Sequence, residues 1–140
     1  MLRRAALAAL LVLSSGWASG CVYYPTVMDT GGVRIRTENG RAVRQGADLL
    51  VTLDVLSTGK YGDTIVGVVS PVAKQALLVN GTGGPVNRLE IPGAATVKFT
   101  PDSTHVVLAS LQRPVERGET FIVTLVFEKS GGIGVVTLLE

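Results

Sequence analysis

The sequence predicts an all-β sandwich behind an N-terminal export leader, and three observations carry that reading. From about residue 32 onward the chain is a succession of short runs rich in Val, Ile, Thr, Leu and Phe, broken by Gly, Pro, Asn and Asp at a spacing of roughly 8–12 residues. Two runs alternate apolar and polar residues with the period of two that a half-buried strand requires. No stretch of the mature chain has the 3.6-residue apolar period of a helix. With 140 residues, 46% hydrophobic and 17% charged, the chain suits one domain with a single core rather than a disordered tail.

The first element is the leader, residues 1–20. Arg3 and Arg4 precede the apolar run Ala5 to Leu13, and small residues follow from Ser14 to Gly20. This is the positive, apolar and cleavage-zone order of a secretory signal. The apolar run is shorter than the roughly 20 residues a spanning helix needs, so a removed signal is expected rather than a retained anchor. Ala18-Ser19-Gly20-Cys21 resembles a lipobox, with Ala18 where leucine is usual. On that reading Cys21 becomes the lipidated mature N-terminus; the alternative is ordinary cleavage nearby, which leaves Cys21 a free thiol. Cys21 is the only cysteine, so no intramolecular disulfide is available in an oxidising compartment. An exported protein, lipid-anchored to a membrane and facing the periplasm or the cell exterior, is the expectation. Residues 21–31, with Tyr23, Tyr24 and Pro25, read as a tether.

Residues 32–140 form the expected domain. Its clearest strand is Ala47 to Val55, where Leu49, Val51, Leu53 and Val55 share one face with Ala47, and Asp48, Thr52 and Asp54 lie opposite. Thr120 to Lys129 repeats the pattern through Phe121, Val123, Leu125 and Phe127. Further strands are expected over 33–37, 64–70, 75–79, 88–91, 95–100, 105–112 and 134–139. The punctuation between them includes Asn39-Gly40, Tyr61-Gly62-Asp63, Gly81 to Pro85, Pro92-Gly93, Pro101-Asp102, Glu116 to Gly118 and Gly131-Gly132.

Several function classes fall away at this stage. Once Arg3 and Arg4 are removed, 13 basic residues become 11 against 11 acidic ones, and those that remain are scattered singly, so no nucleic-acid partner is indicated. No serine sits in a nucleophile elbow, and Gly81-Thr82-Gly83-Gly84 lacks the lysine and helix of a phosphate loop. Asp48 with Asp54, or Glu116 with Glu119, would pair only through tertiary folding. No enzyme is expected. The only histidine is His105, at the start of a strand and on one face with Val107, Ala109 and Leu111. It reads either as a metal ligand at a strand end or as a half-exposed rim histidine hydrogen-bonded to loop backbone. Met28 is the only methionine beyond the leader.

Four ordered phrases belong together: Thr64 to Ala73 with its Ser70-Pro71-Val72-Ala73 end, Leu89-Glu90-Ile91-Pro92-Gly93, His105 to Pro114, and Phe121 to Lys129. In order and spacing they resemble the PCu(A)C copper-chaperone family, from about Ala47 to Leu139. The resemblance implies a periplasmic, cupredoxin/immunoglobulin-like Greek-key β-sandwich that binds Cu(I) through histidine and methionine and passes it toward cytochrome c oxidase. Soft thioether and imidazole donors suit Cu(I). At the ligand positions this chain departs from the family. Val79 stands where the first histidine belongs, the hairpin from Asn80 to Asn87 holds no methionine, His105 matches the second histidine, and Val107 replaces the methionine two residues on. One of four ligands remains.

Two functions follow as expectations. The first is an exported lipoprotein of the copper-chaperone type with a degenerate metal site, which either binds copper weakly through His105 or works with an envelope or respiratory-oxidase assembly protein that supplies the missing donors. The alternative is a metal-free envelope binding or scaffold lipoprotein.

Overall fold

The computed structural model describes residues 32–140; the leader, Cys21, the tether and Met28 lie outside the described residues. Nine strands run in chain order: β1 (Ile35–Gln45), β2 (Asp48–Ser57), β3 (Asp63–Val69), β4 (Ala73–Val79), β5 (Leu89–Ile91), β6 (Ala95–Lys98), β7 (His105–Leu111), β8 (Thr120–Phe127) and β9 (Gly131–Leu139). Each expected strand is present, and no helix occurs among the described residues.

The strands join in the order β4-β7-β2-β1-β9-β8-β3-β5, with β6 paired to β2. Neighbours pair antiparallel except β1 and β9, which run parallel from Gly40 opposite Thr137 to Ala42 opposite Leu139. That short junction links a β4-β7-β2-β6 half to a β8-β3-β5 half. The chain crosses between halves after β2, β3, β4, β5 and β7, so the continuous sheet curls into the sandwich that the resemblance implied.

Alternation fills the core from both halves. Leu49, Val51, Leu53, Val55, Val106 and Leu108 come from one side, and Ile65, Val123, Leu125, Phe127 and Leu139 from the other, all fully or nearly fully buried. Each such side chain contributes about 1.5–3 kcal/mol relative to exposure. Ile91, Phe99 and Val115 enter the same cluster from short strands and loops.

Two expected turns are corrected. Asn39-Gly40 lies inside β1, where the register with β2 slips between Glu38 and Arg41. Asn39 has φ 57° there and donates from Nδ2 to Asp54 Oδ2 at 2.9 Å. A bulge and a tight hairpin both use the left-handed conformation that Asn accepts, so the dipeptide does not distinguish them. A side chain at position 40 would have its Cβ 2.5 Å from the Val136 carbonyl oxygen, which fixes glycine at the β1–β9 junction. The hairpin itself turns through Gly46, φ 64°, between the paired residues Gln45 and Asp48. Gly131-Gly132 likewise opens β9 rather than preceding it: Gly131 pairs with Phe127, and the turn is Glu128 to Ser130.

Candidate functional site

His105 is the first residue of β7 and pairs directly with Val79, the last residue of β4. On β7 the core takes Val106 and Leu108, so His105 and Val107 project from the other side of the sheet, as their spacing predicted. The expected half-exposed rim histidine is nevertheless buried, at 7% exposure, while Leu77 on the same side of β4 is 48% exposed. The difference follows from position. His105 lies at the strand end where two loops close over the sheet, and Leu77 lies in mid-strand.

Both loops are built by their own side chains. Asn80 Oδ1 accepts from Thr82 N at 3.1 Å, Thr82 Oγ1 at 2.7 Å and Gly84 N at 2.9 Å, while Asn80 N donates to Gly84 O at 2.9 Å. This closes the β4–β5 loop into a compact turn and leaves Val79 bridged to Pro85. The β6–β7 turn is held by Ser103 N donating to Thr100 O at 3.1 Å and by a 2.7 Å contact between the Thr100 and Ser103 hydroxyls. The loops abut so closely that a Cβ on Gly81 would collide with the Asp102 carbonyl oxygen.

The turn also fixes the imidazole. His105 Nδ1 lies 3.0 Å from the Ser103 carbonyl oxygen. A carbonyl only accepts, so Nδ1 carries the proton and the Nε2 lone pair is the free one in the neutral ring. Nε2 has no hydrogen-bond partner among the described residues, and it is not a fully enclosed orphan: the one buried side-chain polar atom without a partner there is Ser57 Oγ. The arrangement presents one nitrogen donor in a fixed direction.

Of the positions singled out from sequence, Val79, His105 and Val107 meet on adjacent strands, with Val107 opposite Leu77 on β4 and Leu50 on β2. Cys21 lies outside the described residues. No group of three or more His, Cys, Asp or Glu suited to a metal occurs among the described residues, and those residues hold no cysteine or methionine. One imidazole beside two valines does not make a closed Cu(I) site, so the described residues alone do not fit the ion. The carboxylate pairs do not form catalytic dyads: Asp54 binds Asn39, and Glu119 binds Arg113.

Sequence reading missed Asp63, which it placed in a turn. Its buried carboxylate accepts from Thr64 N at 2.8 Å, Lys129 N at 3.0 Å, Ser130 N at 2.8 Å and Ser130 Oγ at 2.7 Å, pinning the start of β3 to the β8–β9 turn. Burial alone pushes this carboxyl up, but the Ser130 hydroxyl and the three backbone N–H groups together outweigh it and hold it below the ordinary aspartate value. The partners lie 66 and 67 residues away, beyond any local sequence signal.

The fold is that of PCuAC domains. The copper-bound PCuAC domain from PmoF2 superposes with a TM-score of 0.68 at 20% identity, covering 76% of this chain and 92% of that one. The apo PCuAC domain from PmoF1 gives 0.65 at 20% identity over 80% and 96%. The solution structure of CuI-DR1885 from Deinococcus radiodurans gives 0.61 at 24% identity over 79% and 78%. No curated protein matches the sequence. The LpqE-like family, named as one of lipoproteins, matches residues 28–137. With so much of the domain matched, all of β1 to β8 and most of β9, the chain belongs to the LpqE-like family.

Proposed function

We propose that this protein is an exported lipoprotein, attached through Cys21, whose PCu(A)C-type sandwich handles copper jointly with a respiratory-oxidase assembly partner and does not carry the ion alone. The observation that carries the reading is His105. Its ring is pinned through Nδ1, and Nε2 is left as a donor at the end of the sandwich where the PCu(A)C resemblance puts the metal ligands, with His105 opposite Val79. A single oriented imidazole is a poor resident site and a workable transfer site, because copper held by one donor passes readily to a partner that supplies the others.

The test is Cu(I) competition against a chromophoric chelator under reducing conditions, using residues 21–140 with the Cys21 thiol capped. Weak uptake that disappears in His105→Ala supports the reading. Absence of uptake, together with unchanged oxidase assembly in copper-limited cells carrying His105→Ala, refutes it.

A second reading is favoured by one observation. Val43, Leu50, Val107 and Leu77 align across β1, β2, β7 and β4 on the outer side of the sheet, with Val43 and Leu77 about half exposed. A metal-free scaffold would use this row to hold an envelope protein. Val79 and Leu50, each 8% exposed, are too buried to offer such a contact, which falls to Val43, Val107 and Leu77. Copper-independent capture of a partner, weakened by Leu77→Glu, supports this alternative; capture that requires His105 and copper counts against it.

A further inference from the structure

We propose that the outer face of β9, β8 and β3 rests on the bilayer surface, so that the lipid anchor lays the domain down on one side. The proposal rests on attachment through Cys21 and goes beyond it by naming the face. Strands β8 and β9 contain no charged residue, and the only one in β3, Asp63, is buried. From the outer side project Val69, Ile122, Val136 and Leu138, between 41% and 65% exposed, with Thr120 and Thr124 among them. Cross-strand pairing makes them one patch: Ile122 faces Val136, Thr120 faces Leu138, and Thr124 faces Val69. The outer sides of β1 and β2 are mixed instead: Val43 and Leu50 lie there among Arg36, Glu38, Asp48 and Asp54, and Arg41 pairs with Leu138 at the edge of the patch.

The size of the patch decides its occupant. Three strands spaced about 4.8 Å apart over about five residues give a plan area of about 240 Å². Even doubled for corrugation, this falls short of the about 800 Å² per partner that a stable protein complex buries. Such a patch contributes little to a free protein and more to an anchored one, because tethering supplies an effective concentration near millimolar. The surface that the anchor always holds within reach is the one it enters, the bilayer.

The tether also reaches. Residues 22–31 number ten and extend to about 35 Å at most. The domain begins at Gly32 and Val33, which pair with Tyr61. Val136 lies level with Asn39, six residues beyond Val33 along β1 and therefore about 20 Å away. The chain is long enough to let the patch lie flat.

The experiment couples the Cys21 thiol of residues 21–140 to a maleimide-headgroup lipid in vesicles of equimolar phosphatidylcholine and phosphatidylglycerol. Hydroxyl-radical labelling is then compared with the same chain capped by N-ethylmaleimide in solution. Loss of labelling at Ile122, Val136 and Leu138, with Val43 and Leu77 unchanged, supports the proposal, as does recovery of labelling at Leu138 in the Ile122→Asp, Val136→Asp double variant. Equal labelling of both faces overturns it. Protection that grows with protein-to-lipid ratio also overturns it, because a second copy then covers the patch. The chemical coupling supplies the anchor whatever the cell does, so this result is separate from the mass of the Cys21 peptide isolated from cells, which tests lipidation.

Discussion

Replacing Asp63 by alanine removes a carboxylate that accepts four hydrogen bonds and leaves the N–H groups of Lys129 and Ser130 without their acceptor. Hydrogen bonds to a charged group contribute about 1.5–3 kcal/mol each, but these share one side chain and do not add, so a loss of about 3 kcal/mol is expected. For a domain of this size that lowers the melting temperature by roughly 12 °C. The asparagine variant tests the charge. It keeps the shape and one acceptor oxygen but aims an amide NH₂ where an acceptor is needed, and it should lose most of the same stability. The pH dependence has a fixed sign. The carboxyl titrates lower folded than unfolded, so its contribution is complete above the unfolded value of about 4 and is lost as pH falls toward the folded one. Urea unfolding of wild type and Asp63→Asn between pH 7 and pH 3 measures this. The gap between them should be constant down to about pH 5 and then close. A gap that stays constant to pH 3, or widens, refutes the assignment of the stability to the ionised carboxylate.

Other outcomes follow from the same structure. Gly40→Ala forces a Cβ against the Val136 carbonyl at the β1–β9 junction and should destabilise by about 1–3 kcal/mol, seen as a lower urea midpoint. Cys21→Ser should move the protein from the membrane to the soluble envelope fraction on immunoblots; unchanged membrane retention refutes the anchor. Asn80→Ala removes the acceptor of three bonds that close the loop beside Val79. It should raise proteolytic nicking between residues 80 and 87 while costing only about 1–2 kcal/mol of global stability.

The nine strands were legible because alternation is a local signal: Leu49, Val51, Leu53 and Val55 identify a core face without knowledge of any neighbour. What pairs with what was not legible from the pattern. The parallel contact of Gly40 to Ala42 with Thr137 to Leu139 joins segments almost a hundred residues apart. Asn39-Gly40 shows the limit of turn chemistry, since the dipeptide specifies a backbone conformation and the surrounding strands decide whether it turns or bulges. His105 was placed on the right face by parity, yet its burial depends on two loops whose approach is set by Gly81 and Asp102. Asp63 gave no signal at all, because its partners are backbone groups and every residue type offers those.

Anchor and site together account for a puzzle in the proposed chemistry, namely how a lone imidazole is of use. His105 lies beside Val106, which pairs with Val51, and Val51 pairs with Ala42, so the site sits about 25 Å along the strands from where the tether joins at Val33. An affinity too weak to hold copper against free solution is no handicap when the recipient shares the same membrane surface, since confinement supplies the effective concentration that missing ligands do not. The retained and the absent residues are then consistent. A complete ligand set suits a carrier that must hold its ion while diffusing, whereas a tethered partner needs a donor whose direction is fixed, and the Ser103 carbonyl fixes it. The hydroxyls of Ser103 and Thr100 brace the turn that carries this carbonyl. Thr100→Val with Ser103→Ala removes the hydroxyl contact that braces the turn and keeps the carbonyl at position 103; it should slow copper transfer to a partner without changing the fold, and unchanged transfer would show that this bracing does not matter to the ring.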